Sequence, residues 1–205
     1  MQRATLDEVR AALETLPPDL DWPSVRDRVI PMFERSRPYP SGHPEPVRAI
    51  VPPGLSIGFA IDIGPAFASV SREMLERWKV APAELTACAL TNVRQRAAGM
   101  TMDHVVHGSV GGVMLASLQS GTGSASTFVL VPDVLGRLLG SAPRLLLAPM
   151  RDLLVSLPVD VERGFAAWLF DEFAALDPNC LAPAAFQFRD GSIAVEPLGP
   201  AFGVA

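Results

Sequence analysis

The dipeptide Asp190-Gly191 is the strongest local fold signal in the chain. An Asp-Gly pair between two alternating apolar runs supplies the backbone conformation that a two-residue hairpin turn demands. It sets Phe188 opposite Ile193 and Phe186 opposite Val195, all on one face. Register and apolar pattern agree, so the chain is expected to build at least one antiparallel pair. With 205 residues, 49% of them hydrophobic, it has material for a core of ordinary size within one large domain.

Alternation elsewhere points the same way. Ile57, Phe59, Ile61 and Ile63 alternate with Gly58, Ala60 and Asp62, a strand pattern whose second face is small. Residues 66–70 read as its hairpin partner. Residues 113–118, 144–150 and 153–157 are apolar on both faces or strongly apolar, as buried strands are. Helical spacing predicts a helix over 5–16, where Thr5 and Glu8 fit a capping box and Leu6, Val9, Leu13 and Leu16 form a stripe. A second helix is expected over 22–35, kinked or shortened by Pro31. Ser71 caps a short helix over 72–78, and Pro82 suits the first turn of a longer one to about Ala97. A further helix is expected within 128–139, starting near Pro132 or earlier. Another is expected over 161–176, capped by Asp160 and burying Phe165, Trp168, Leu169, Phe173 and Leu176. Residues 100–110 have mixed propensity and fit helix or strand.

These elements predict an α/β or α+β fold with a mixed sheet of about five to seven strands and helices packed on it. Its expected organisation is an N-terminal helical segment with a Pro-rich arm (1–54), a core domain (55–196) and a C-terminal tail (197–205). The helix over 161–176 is expected to cover one sheet face. The N-terminal helices are expected to dock late or against a partner.

Charge excludes some functions. The net charge is −5, and Lys79 is the only lysine. A nucleic-acid partner is not expected, because neutralising phosphates takes clustered cations. No apolar run is long enough for a membrane span, and Met1-Gln2-Arg3-Ala4 lacks the apolar segment of a signal peptide. Cytoplasmic localisation follows as the expectation, and Cys88 and Cys180 are expected to remain unbonded.

Candidate chemistry is sparse. Gly54-Leu55-Ser56-Ile57-Gly58 has the G-x-S-x-G spacing, yet a strand and not a helix follows Ser56, so it lacks the setting of a hydrolase nucleophile. The glycines at 108, 111, 112, 121 and 123 make no phosphate loop. Asp103, His104 and His107 could hold a metal if they lay on a helix; on a strand the two histidines would face apart. No third strong ligand lies nearby, and His43 is far off in the Pro-rich arm. Arg151 and Asp152 place two charges between two strongly apolar strands, where they form a turn ion pair or an exposed recognition pair. Asn92 and Arg96 share a helical face with Leu85, Cys88 and Ala89; a polar group there satisfies a loop backbone or contacts a ligand. Asp62, on the small face of its strand, is a similar case. No catalytic residue and no cofactor is assigned. Ligand or partner candidates are Arg151, Asp152, Asn92 and Asp62, with His104 and His107 held as metal candidates.

Several segments, read in order, resemble the YtpQ-like family of uncharacterised bacterial proteins. They are Gly58-Phe59-Ala60-Ile61-Asp62, Val70-Ser71, the helix from Glu84-Leu85 through Ala89, Asn92 and Val93, and Phe128-Val129-Leu130-Val131-Pro132-Asp133-Val134-Leu135. Ala148-Pro149-Met150-Arg151-Asp152-Leu153-Leu154 and Phe188-Arg189-Asp190-Gly191 complete the set, which spans about residues 22–196. The resemblance implies a cytosolic bacterial α/β protein and supplies no activity and no catalytic residue. It draws attention to Arg151, Asp152 and Asn92 as polar residues inside matching segments.

The leading functional expectation is a non-enzymatic interaction or regulatory module, recruiting another protein or a second copy through exposed strand edges and the Pro-rich arm. The alternatives are a hydrolase working through carboxylates or His104 and His107, and a domain that binds a small anionic ligand through Arg151.

Overall fold

A computed structural model describes residues 5–14, 20–35, 44–51, 55–64, 66–177 and 180–199. Along the chain the elements are α1 (Leu6–Glu14), α2 (Trp22–Val25), β1 (Val29–Arg35), β2 (Arg48–Val51), β3 (Leu55–Asp62), β4 (Phe67–Ser69), α3 (Arg72–Trp78) and α4 (Pro82–Ala97). They continue as β5 (Val105–Val110), β6 (Val113–Leu118), α5 (Pro132–Leu139), β7 (Arg144–Met150), β8 (Leu153–Pro158), α6 (Arg163–Ala174), β9 (Ala184–Arg189) and β10 (Ser192–Pro197).

The class is α+β, with two sheets where one mixed sheet was expected. Every pairing is antiparallel. The connections explain this: β5–β6, β7–β8 and β9–β10 are joined by two-residue turns, which only antiparallel neighbours permit. The smaller sheet is built on β3, with β1 on one side and β2 and β4 along the other. The larger runs β10-β9-β7-β8-β6-β5. The terminal hairpin forms in the predicted register, Phe188 against Ile193 and Phe186 against Val195.

Side-chain alternation sorts the apolar residues into three clusters. Leu146, Ala148, Leu154, Phe186 and Phe188 face inward from the larger sheet. They meet Ile30, Met32 and Phe33 of β1, the inner face of α5 and the end of α4. The intervening residues Leu145, Leu147, Leu153, Val155 and Leu157 face the other way and are covered by Ala166, Leu169 and Phe170 of α6. Two-sided burial is why β7 and β8 read as continuous apolar runs. The third cluster joins Val29, Phe59 and Ile61 of the smaller sheet to Leu75 of α3 and Leu85 and Ala89 of α4.

The helix expected over 22–35 is not formed. It stops at Val25, passes through a 3₁₀ turn at Arg26–Arg28 and becomes β1. Pro31 cannot donate within a helix, whereas β1 is, among the described residues, an edge strand paired only with β3, a position that tolerates it. Strands β1 and β2 thus place part of the expected N-terminal segment inside the smaller sheet, across the boundary expected after residue 54. The remainder of the Pro-rich arm, residues 36–43 and 52–54, lies outside the described residues, as do Leu16, His43 and the tail beyond Gly199.

Helix α6 begins at Arg163 with Glu162 at its N-cap, and that cap makes no side-chain bond, so Asp160 is not the cap. The expected face forms: Leu169 is buried, and Phe165, Trp168 and Phe173 pack partly buried against the same cluster beside Ala166 and Phe170, while Leu176 lies beyond the helix and is 72% exposed. Helix α1 forms with its capping box in place: the Thr5 amide donates to Glu8 Oε2 at 2.7 Å and the Glu8 amide to Thr5 Oγ1 at 3.3 Å. Its stripe remains outside the core, with Leu6 86% exposed.

Candidate functional site

Asp152 sits in the two-residue turn between β7 and β8, which the adjoining apolar strands force to the sheet end. Its carboxylate faces inward onto the segment following β6. Oδ1 accepts from the Ser120 amide at 3.0 Å and the Ala125 amide at 3.4 Å, and Oδ2 from the Gly121 amide at 2.9 Å. The Ser120 hydroxyl also donates to Oδ1. Ser120 in turn accepts from the amides of Thr122 and Ser124 at 3.2 and 3.1 Å, and the Thr122 and Ser124 hydroxyls lie 2.9 Å apart. The Arg151 carbonyl accepts the Ser126 amide at 3.0 Å. Asp152 is therefore the organising anion of a turn, with its lone pairs taken by donors that would otherwise lack partners.

Arg151, beside it, forms no ion pair with Asp152; its half-buried side chain has a buried Nε without a hydrogen-bond partner. In place of the turn ion pair expected from sequence, the carboxylate is spent on three amides and the Ser120 hydroxyl, and the Arg151 Nε has no partner.

Asn92 is buried on α4, and its Nδ2 donates to the Arg26 carbonyl at 2.7 Å and the Val29 carbonyl at 2.8 Å. It thus fastens α4 to the chain where the 3₁₀ turn becomes β1. Cys88, one turn earlier, donates from Sγ to the same Arg26 carbonyl at 3.2 Å. Burial, and then the nearby Asp27 carboxylate, push the Cys88 thiol above its ordinary range. Both cysteines are partly exposed; Cys88 is not the core residue that its helix suggests.

Asp62 ends β3. Oδ1 accepts the Gly64 amide at 2.7 Å, and Oδ2 pairs with Arg96 Nη1 of α4 at 2.7 Å. The structure joins these two singled-out residues, and their side chains are only about one-fifth exposed (21% and 19%).

The ambiguous stretch 100–110 is a 3₁₀ turn, Met102–His104, leading into β5. The shared helical face that two-histidine ligation needs is absent. His104 Nδ1 accepts the Thr101 amide at 3.1 Å, and His107 lies mid-strand opposite Ala116. Among the described residues no three of His, Cys, Asp and Glu are grouped to hold a metal. Ser56 is buried within β3, its hydroxyl directed to the Glu34 carbonyl at 3.4 Å, without the strand-to-helix turn of a nucleophile. An open hollow of about 410 Å³ lies between Pro44, Pro46, Ser71, Glu73 and Arg77. None of Arg151, Asp152, Asn92, Asp62, His104 and His107 lines it.

Among the described residues, one sheet edge is left open. Strand β5 closes the larger sheet on one side, and Val106, His107 and Ser109 are exposed along it. Its six residues include no Pro, Lys, Arg, Asp or Glu. Beside it Met102 is 64% and Met114 62% exposed. The opposite edge, β10, ends in Pro197 and carries Glu196 paired with Arg163 at 3.0 Å, devices that discourage further pairing. Sequence reasoning anticipated open edges without locating one; the Gly111-Gly112 turn, read with Val110 and Val113 on either side of it, would have located this hairpin.

No protein-family model, no curated protein and no solved structure matches the chain. No helix among the described residues is long and apolar enough to cross a membrane.

Proposed function

We propose that this chain is a non-enzymatic protein-interaction or regulatory module, bacterial and cytoplasmic, that takes another polypeptide onto the β5 edge. The YtpQ-like resemblance is part of the same proposal and adds no activity to it. The observation that carries the reading is β5 itself: a largely exposed strand without acidic, lysine or arginine residues and, among the described residues, unpaired on one side. Such an edge pairs with an incoming strand through main-chain hydrogen bonds. The polar residues singled out from sequence support it indirectly. Asp152, Asn92 and Asp62 are each engaged with the scaffold.

The test is a photo-crosslinking residue at Val106, with Glu172 on the exposed side of α6 as control. Polypeptide adducts are expected from position 106 and not from 172. A probe at 106 that captures no polypeptide overturns the reading.

One observation favours a second reading, a domain binding a small anion. The buried Nε of Arg151 lacks a partner, and an unpaired guanidinium is suited to a carboxylate or phosphate. Titration calorimetry with inorganic phosphate tests it, expecting heat from the natural chain and none from Arg151→Met. Equal heats, or none from either, reject it.

A further inference from the structure

The geometry of the β5 edge points to its occupant: we infer that β5 pairs antiparallel with β5 of a second copy about a two-fold axis through His107. The inference rests on the interaction reading and names the partner.

The turn joining β5 to β6 decides which peptide groups are free. Gly111 and Gly112 have φ of +57° and +80°, as in a type I′ turn, and Val110 faces Val113 across it. The residues flanking such a turn exchange both hydrogen bonds, and the ladder then alternates. Val110, Gly108 and Val106 therefore bond inward to β6. Ser109, His107 and Val105 present their N–H and C=O to the open side. The Val105 amide confirms the phase, since it donates outside the ladder to the Met102 carbonyl.

Antiparallel pairing of identical strands about an axis normal to the sheet puts each residue opposite one whose number gives a constant even sum. Centring on His107 sets His107 against its own copy, and Val105 against Ser109 in both directions. All three outward-facing residues are then matched. With the Val105 amide already engaged, each copy gains two main-chain bonds as donor. The intervening pair sets Val106 opposite Gly108. Val106 is 66% exposed, and nothing lies within 4 Å of where a side chain on Gly108 would begin. This is a non-hydrogen-bonded pair, in which backbones approach most closely, so the valine of each copy covers the open glycine of the other.

Charge supports a self-partner. The chain carries −5 overall, yet β5 has no acidic or lysine or arginine residue, so two copies meet here without like charges directly opposed. An isologous contact of this kind closes on itself and gives a dimer with a continuous sheet, not a fibre.

Sedimentation velocity of the natural chain and of His107→Lys and His107→Asp tests the register. The natural chain is expected as a dimer of the 21.9 kDa subunit. Each variant alone opposes like charges across the axis and is expected to sediment as a monomer, with folding checked by circular dichroism. An equimolar mixture of the two variants is expected to restore the dimer. Independently of any variant, exchange of the His107 and Ser109 amides in the natural chain should slow as concentration rises through the dimerisation range. A monomer at every concentration, variants that dimerise unchanged, a mixture that stays monomeric, or fast exchange of both amides in the dimer overturns the inference. If the chain is monomeric while position 106 still captures a different polypeptide, self-pairing falls and the interaction reading stands; without any adduct both fall.

Discussion

Single residues in this protein act mainly by closing hydrogen-bond deficits that the fold creates. Asn92 is the clearest, with one amide serving two carbonyls of the segment entering β1. Asn92→Leu should cost about 2–3 kcal/mol, because two buried acceptors lose their donor, as read from urea unfolding. Asp152→Ala removes the acceptor for three amides and one hydroxyl. Amide exchange at Gly121 and Ala125 should accelerate at least tenfold while strand amides of β7 stay protected. Cys88 offers a pH test. Burial and Asp27 raise its thiol, so iodoacetamide should modify it more slowly at pH 8 in the folded chain than in urea. The sign for stability follows: the unfolded chain ionises this thiol first, so the contribution is whole below the ordinary value of 9.0 and declines as pH rises past it. The sequence marked Asn92 and Asp152 as unusual but could not name their partners, which lie 66 and 32 residues away.

At the level of elements, local chemistry decided what was legible. Pro82 opens α4 and Ser71 caps α3, its hydroxyl accepting the Met74 amide at 3.2 Å; both were predicted because caps are short-range. The Asp190-Gly191 turn is equally local. Gly191 has φ of +70°, so Gly191→Ala should cost about 1–2 kcal/mol through left-handed strain, measurable as a lowered urea midpoint with an unchanged slope. The stretch 22–35 was misread because Val25, Val29, Ile30 and Phe33 satisfy helical spacing as well as they do a strand. Only pairing of β1 with β3 from Val29↔Ile61 to Arg35↔Leu55 settles it. The apolar face of α6 was legible, since Phe165, Trp168, Leu169 and Phe173 all pack in the cluster with β7 and β8; only its end was misplaced, because Leu176 lies past the last helical residue and is exposed.

For the molecule as a whole, the decisive contact is between the two sheets. Phe33 of β1 meets Phe186 of β9 with ring centroids 5.5 Å apart and planes at 46°. Phe186→Ala should cost about 3–5 kcal/mol and lower the stability of both sheets together in a single denaturant transition. Separate transitions would show that the sheets fold independently. The amino-acid sequence by itself determined where the chain turns, which runs alternate and which helices start at a cap, since those depend on neighbours within a few residues. Tertiary structure alone decided that the strands divide into two antiparallel sheets, that Arg96 meets Asp62, that Asp152 holds the loop after β6, and that β5 is left at an edge. Those outcomes follow from contacts between residues distant in the chain, whose free energies depend on the burial and geometry of both partners at once.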